Sequence, residues 1–339
     1  MVLIVSDEQD VSTNNVIDWL VYFKVPFLRI NENDGVKLSQ VAFKNGSLHF
    51  QFEIHKNAFG TTFLLSEKEV VLYWYRRGCL KLYANMPHCY TPPFEYVFND
   101  LNQYLIDENM KIVDFIHHYL KSIPHVNSFN DNGINKMSAL FEAQQCGLTI
   151  PETFIIDSKA ELEVLLRTDK KYIVKGIDRN GFSIHNSYSV GTLTFMLTAQ
   201  SLGKVPQTFN YSLVQEYIEK QVDIRVFYLD GQTFPTAIFS QSDNKTKIDF
   251  RNYNYDRPNR IVPFRLPKHI KNSIIKLMRK LDLNSGSLDL VLDREGDLFF
   301  LEVNPVGQYD FISKQCNLQL DRIIAKHICD KYETENNKR

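Results

Sequence analysis

The stretch that most constrains this chain is Gly286-Ser287-Leu288-Asp289-Leu290-Val291-Leu292 followed by Leu301-Glu302-Val303-Asn304-Pro305. Two apolar runs flank the turn-rich Asp293-Arg294-Glu295-Gly296-Asp297, which reads as a β-hairpin. With a four-residue loop over 294–297, antiparallel register sets Asp289 directly opposite Glu302. Side chains alternate along a strand, so Glu302 and Asn304 share one face while Leu301 and Val303 point to the other. Asp289, Glu302 and Asn304 then converge as oxygen donors above an apolar floor. Magnesium suits such a site, because it takes hard oxygens and keeps waters or substrate phosphates in its remaining positions. The plainer alternative is a surface hairpin whose carboxylates are only solvated.

The 339 residues are enough for about two or three domains with ample core. With 39 basic and 40 acidic residues the net charge is −1, which argues against a dedicated nucleic-acid binder. No apolar run approaches membrane-spanning length. Met1-Val2-Leu3-Ile4-Val5 is apolar, but Asp7, Glu8 and Asp10 follow at once and no basic region precedes it. It reads as a strand rather than a signal peptide. The five cysteines lack close pair spacing, which suits reduced thiols in the cytoplasm. His117-His118 lacks the spacing of a metal motif and reads as a partly exposed helix position.

Residues 1–30 read as strand, helix, strand, with Val16, Trp19, Leu20 and Phe23 on one helical face. Short strands around Val41–Phe52 and Val70–Tyr75 and a long helix near Glu95–Leu120 complete an α/β domain over 1–124. After the Asn- and Asp-rich loop Asn127–Gly133, a helix near Asn135–Gln145 stops at Gly147. A strand at Thr153–Ile156 meets Ser158-Lys159-Ala160-Glu161, a capping-box pattern, and Lys171–Ile177 is extended. From Leu213 the pattern turns β-rich, with Asp230-Gly231 marking a hairpin between Val222–Leu229 and Thr233–Ser240. Helix Lys268–Leu281 precedes the opening hairpin, and a helix near Leu318–Lys331 leads to a frayed tail. The expected division is 1–124, a central segment 125–211, a β-rich segment 212–332 and a flexible tail 333–339.

Two lysines stand out by context. Lys136 opens a helix, where the N-terminus already favours anions, and Lys175 ends an apolar strand before a Gly-containing loop. Either is open to a plain reading as a solvated charge. Upstream of a carboxylate hairpin, the pair also reads as a phosphate clamp. In Val214-Gln215-Glu216-Tyr217-Ile218-Glu219, extended backbone is placed to meet an adenine edge while Glu219 or Asp223 reaches a ribose hydroxyl. Asp223 and Arg225 share a strand face, so an Asp223–Arg225 ion pair is the structural alternative for Arg225.

The ordered set Lys136; Lys175; Gln215-Glu216-Tyr217-Ile218; Asp223-Ile224-Arg225; Asp249-Phe250-Arg251-Asn252; Asp289; Glu302-Val303-Asn304 resembles the ATP-grasp superfamily. The likeness is to its carboxylate–amine ligases related to the ribosomal-protein glutamyl ligases. It implies an α/β fold with an N-terminal pre-ATP-grasp domain, a central domain and a β-rich C-terminal domain. It also implies ATP between two subdomains, with magnesium on Asp289, Glu302 and Asn304. Glu216 and Tyr217 would lie at adenine, Glu219 and Asp223 near ribose, Lys136 and Lys175 on phosphates, and Arg251 with Asn252 at phosphate or an acyl phosphate. Arg225 would orient the acceptor carboxylate or its acyl phosphate. The family's Gly-rich phosphate loop is represented only by Gly176-Ile177-Asp178-Arg179-Asn180-Gly181.

A narrower resemblance spans nearly the whole chain. Val5-Ser6-Asp7-Glu8-Gln9-Asp10, Trp19-Leu20, Arg29-Ile30-Asn31, Trp74-Tyr75-Arg76-Arg77 and the long Asp249–Pro267 segment look like peptide maturases of the grasp-with-spasm type. These are relatives of the microviridin ligases that make graspetides. The resemblance implies a cytoplasmic enzyme, using ATP and Mg²⁺, that forms ω-esters or ω-amides within a precursor peptide. Such a peptide has a leader and a core rich in Ser/Thr and Glu/Asp. It implies no nucleic-acid or membrane partner, and a homodimer is compatible with it. The basic, aromatic stretch from Asn244 to Lys268 fits an acidic peptide better than single-stranded nucleic acid, given the near-neutral chain, and a solvated connection is the plainer alternative. The rival readings are a ligase for a protein tail or free amino acids, and a catalytically silent ATP-binding scaffold.

Overall fold

The computed structural model describes residues 1–56, 60–82, 95–177, 182–185, 188–190, 194–242, 246–247, 250 and 256–338, without the side chains of 40, 95–99, 182–185 and 188–190. The chain divides into two compact units, Met1–Gly133 with Gln319–Arg339, and Ile134–Leu318.

The first unit runs β1 (Val2–Ser6), α1 (Val11–Tyr22), β2 (Phe27–Asn31), β3 (Gly35–Lys44), β4 (Ser47–Lys56), β5 (Thr61–Ser66), β6 (Leu72–Tyr75), α2 (Glu95–Ser122) and β7 (His125–Val126). β2-β1-β6-β7 form a parallel sheet. Every residue of β1 is buried, and such strands are read as unbroken apolar runs because both faces are covered. Asp10 caps α1 by accepting from the Thr13 amide at 3.0 Å, and its other oxygen meets Arg77 Nε at 2.6 Å and Arg76 Nε at 3.3 Å.

A second, antiparallel sheet has the order β3-β4-β5. Its first hairpin turns at Asn45-Gly46, whose φ values of 53° and 73° suit a two-residue turn between paired Lys44 and Ser47. The single short strand expected at Val41–Phe52 is therefore the inner part of a hairpin. The C-terminal helix Leu320–Asn336 belongs to this unit rather than to the β-rich segment that the sequence placed it with. It packs on α1, with the Arg322 guanidinium over Trp19 at 5.6 Å and Ile324, Ala325 and Ile328 buried. It also runs through Glu333, where fraying was expected, as far as Asn336.

His117, expected to be partly exposed, is 0% exposed on α2. Its ring stacks on Phe129 with centroids 4.3 Å apart, and Nδ1 lies 2.7 Å from the Tyr73 hydroxyl.

The second unit opens with α3 (Lys136–Gln145), capped by Asn135 and closed at Gly147 with φ 84°. Then come β8 (Thr153–Ser158), α4 (Lys159–Leu166), β9 (Tyr172–Lys175), β10 (Phe182–His185), β11 (Tyr188–Val190), β12 (Phe195–Met196), α5 (Ala199–Leu202) and β13 (Thr208–Glu216). The antiparallel sheet β12-β9-β13-β8 buries Ile156, Tyr172 and Val214 against Leu162 and Leu165 of α4. Ser158 does not cap α4 as its pattern implied, because its hydroxyl donates to Glu161 Oε2 at 2.7 Å and bonds no helix amide.

Next are β14 (Lys220–Leu229), β15 (Gln232–Phe239), β16 (Arg260–Pro263), α6 (Lys268–Lys280), β17 (Ser285–Asp293), β18 (Leu298–Asn304) and α7 (Asp310–Gln315). The strands form a sheet of order β16-β15-β14-β17-β18, and Asp230-Gly231 makes the expected tight turn. Leu140 and Ala143 of α3 and Ile274, Leu277 and Met278 of α6 cover one face of it over Ile224, Val226, Leu288, Leu290 and Phe300. Among the described residues, no helix is long and apolar enough to cross a membrane.

The buried His117 predicts an acid-sensitive unit. Burial pushes its pKa down from 6.5 to about 3, so the unfolded chain binds the proton more readily than the folded one. Its stabilising effect is complete above pH 6.5 and falls away as pH drops toward 3, by at most about 1.4 kcal/mol per pH unit. His117→Gln, which keeps a partner for Tyr73, should flatten this slope in denaturant melts run between pH 6.5 and 4. An unchanged slope would mean that other groups set the acid limit.

Candidate active site

The carboxylates of β17 and β18 face one another as the sequence implied, by a different route. Pairing closes at Leu292 and Leu298, leaving 293–297 as the loop, so regular pairing would misalign Asp289 and Glu302. A bulge between Phe300 and Glu302 inserts Leu301 as an extra residue and restores the Asp289–Glu302 pair. Bulges re-aim side chains. Leu301, expected on the far face, lines the same cavity as Glu302, whereas Val303 packs toward the core as expected.

On the other flank of β17, Arg225 lies directly opposite Asp289. Arg225, Asp289 and Glu302 thus form one row across three strands. Arg225 Nη1 sits 2.7 Å from both Asp289 carboxylate oxygens, and Nη2 donates to the Gln308 carbonyl at 3.0 Å. The ion pair considered for Arg225 therefore forms with Asp289 and not with Asp223. Directly opposed side chains start about 5 Å apart, whereas residues two apart on one strand start nearer 7 Å.

Asp223 is held otherwise. Its carboxylate meets the Lys220 ammonium at 2.6 Å and accepts from the Ser240 hydroxyl, all three residues being buried. Sequence pattern alone does not single out Lys220. Its one signal there is a lysine just ahead of the Asp223-Ile224-Arg225 alternation.

Lys175 ends β9 and donates to Gln215 Oε1 at 2.9 Å, while Gln215 Nε2 donates to Thr153 Oγ1 at 3.0 Å. Lys175, Gln215, Glu216, Tyr217, Lys220, Asp223, Asp289 and Glu302 all line one cavity. Tyr217 and Lys220 also border a neighbouring cavity of about 620 Å³, within the range of small-molecule sites. Glu219 lies there, paired with Lys171, whose hydrogen bond holds the Glu219 carboxyl below its ordinary pKa. Burial raises the pKa of Tyr217.

The Glu216 carboxylate is already engaged, accepting from the Glu152 amide at 3.3 Å and lying 3.1 Å from Lys170. Lys136 reaches from α3 to the Gly176 carbonyl at 3.2 Å, which brings it beside the end of β9. Asn304 is exposed, accepts from the Gly307 amide at 3.4 Å and is not among the residues lining the cavity. Arg251, Asn252 and the 178–181 part of the phosphate loop lie outside the described residues.

The donor set fits a magnesium ion. Asp289 and Glu302, paired across β17 and β18, supply the hard oxygens that would hold such an ion.

This geometry belongs to a known class. A family model, the RimK-like ATP-grasp domain, matches residues 144–328, more than half of the chain, and the chain belongs to that family. No curated protein matches the chain. Among solved structures it is similar to a RiPP-associated ATP-grasp ligase of Chryseobacterium gregarium in complex with ADP and a leader and core peptide. That match has 18% identity, a TM-score of 0.75, and covers 97% of this chain and 95% of the other. It is similar also to the macrocyclase MdnC of Microcystis aeruginosa MRC bound with precursor peptide MdnA, at 20% identity and TM-score 0.71, covering 97% and 99%. A third is the ATP-grasp ligase PsnB with minimal precursor, Mg and ADP, at 12% identity and TM-score 0.67, covering 98% and 97%. The ATP-grasp fold anticipated from the ordered motifs is the fold of this chain.

The buried Arg225–Asp289 pair yields a stability test. Arg225→Met leaves an orphaned carboxylate and should cost about 3–5 kcal/mol in urea unfolding. Arg225→Met combined with Asp289→Leu should recover most of that loss. A single variant as stable as the parent would show the pair to be energetically idle.

Proposed function

We propose that this protein is an ATP-dependent, ADP-forming ligase that joins side chains within a ribosomally made precursor peptide, as ω-esters or ω-amides. The observation that carries this reading is the Arg225–Asp289–Glu302 row beneath a lysine-lined cavity in a RimK-like ATP-grasp domain. The near-full-length likeness to ligases solved with leader, core or precursor peptides favours a peptide substrate over a free amino acid. A silent scaffold is disfavoured by the buried charges, which cost several kcal/mol each to desolvate and are retained around an open cavity.

In this reading Asp289, Glu302 and Asn304 hold magnesium. Asn304 joins the other two by turning from Gly307. Lys136 and Lys175 bind phosphates, Lys175 exchanging Gln215 for a phosphate oxygen. Glu216 and Tyr217 border adenine, with the backbone of the segment as the base-reading element because the Glu216 carboxylate is engaged. Glu219 serves the ribose end, beside an Asp223 carboxylate engaged by Lys220 and Ser240, Asn252 meets phosphate, and Arg225 with Arg251 orients the acceptor carboxylate. ATP supplies the phosphoryl group that turns a carboxylate, otherwise a poor electrophile, into an acyl phosphate. The chain's part is to position the attacking hydroxyl or amine, to neutralise developing charge and to keep water out. The substrate is a precursor peptide with a leader and a core rich in Ser/Thr and Glu/Asp. The enzyme acts in the cytoplasm, and a homodimer is its proposed assembly.

Glu302→Gln removes a hard anionic ligand with little change of shape. It should abolish ATP-dependent turnover while leaving the thermal melt unchanged, and normal turnover would sink the metal assignment. The function itself is tested by intact-mass spectrometry of a leader-bearing precursor peptide with a core rich in Ser/Thr and Glu/Asp, to be sought beside this gene, incubated with enzyme, ATP and magnesium. The peptide should lose one water per crosslink. A glutamyl ligase would add mass instead, and a scaffold would leave the peptide as it was. Mild alkaline methanolysis then separates esters, which open, from amides, which stay closed.

A further inference from the structure

Lys220 and Asp223 should not meet. They are three residues apart on one strand, and alternation puts such residues on opposite faces. They meet at 2.6 Å because β14 is irregular at its start: its register against β17 shifts between Lys220 and Val222. The Lys220 amide also folds back onto the Ile218 carbonyl at 2.8 Å. The irregularity turns the ammonium onto the face that carries Asp223, Arg225 and Asp289. Lysine is almost never this buried unless paired, and Lys220 is 5% exposed with Asp223 at 4%. Asp223 is in turn fixed by the Ser240 hydroxyl, and Ser240 is 0% exposed.

The place to which this ammonium is steered is specific. Lys220 lines both the cavity holding Asp289 and Glu302 and the one holding Glu219 and Tyr217. A nucleotide with its phosphates at the first and its ribose near Glu219 has to pass its ribose–α-phosphate junction by Lys220. We infer that Lys220 binds the nucleotide at that junction and that Asp223 is a positioning residue acting through it. The ribose hydroxyls are then left to Glu219. This rests on the nucleotide reading proposed above and adds to it a residue and a revised role for Asp223.

The test compares ADP with adenosine, each with magnesium, by calorimetry on the full chain. Lys220→Met combined with Asp223→Asn removes both charges and leaves neither orphaned, and Lys220→Arg keeps the cation. The double variant should bind ADP about 10- to 100-fold more weakly than the parent, the size expected for one charge-assisted contact. Its adenosine affinity should be unchanged, and Lys220→Arg should retain ADP affinity within a few-fold. Equal weakening for ADP and adenosine would make the pair merely structural and overturn the inference, as would undiminished ADP binding. If the double variant fails to fold, Lys220→Arg decides: ADP affinity kept within a few-fold supports the contact, and a large, equal loss for both ligands overturns it. A parent chain that binds adenosine but not ADP would overturn this inference alone. One that binds neither would reject the nucleotide reading beneath it.

Discussion

The site depends on the antiparallel pairing of β14, β17 and β18. That pairing sets Arg225, Asp289 and Glu302 side by side in one row. Three strands with charges at matching positions would ordinarily face water. Here Arg225 and Asp289 are buried, so the guanidinium and carboxylate have to satisfy one another. The opposite face of the sheet is sealed by α3 and α6 through Ile224, Leu288, Leu290 and Phe300. Slipping one strand by one residue would bury charges in that core and expose its leucines. Register and chemistry are therefore enforced by the same apolar residues.

Two irregularities refine that row. At Leu301 the extra residue corrects the offset created by the 293–297 loop. Near Lys220 the register shift brings a cation onto the carboxylate face. The second lies at the start of β14, whereas the first lies in the middle of β18, directly beside the row it corrects.

Those irregularities also explain what could be read from the residues alone. The ordered motifs implied the fold, and antiparallel register around the expected 294–297 turn set Glu302 opposite Asp289. It did so through a loop one residue too short, an error that the bulge happens to cancel. The same bulge defeated the alternation rule at Leu301. Lys220 was passed over for a related reason, since its partnership with Asp223 violates strand parity. The Arg225 partner was misjudged because a contact across strands has no separation in sequence to count. In the other unit the two-residue Asn45-Gly46 turn carries the same kind of hairpin signal as Asp230-Gly231. His117 and the C-terminal helix were different. Their burial is decided by Tyr73, Phe129, Trp19 and other residues remote in sequence, which local pattern does not bring together.

The pairing of charges also bears on how a site of this kind is loaded. Asp289 already holds a cation in the form of Arg225, and Lys175 rests on the neutral Gln215. On the proposed reading, a triphosphate arriving without metal would face Asp289 and Glu302 as like charges, and a metal arriving alone would compete with Arg225 for Asp289. Entering together, each offsets what the other would oppose: the metal supplies charge to the carboxylates, and the phosphates take up the lysines. Movement of Arg225 away from Asp289 would then leave a cation seeking a partner on the same face. A substrate carboxylate is a fitting one. On that reading, loading with metal-nucleotide and capture of the substrate carboxylate would be linked through a single buried ion pair, because neither charge can be left alone at low solvent exposure.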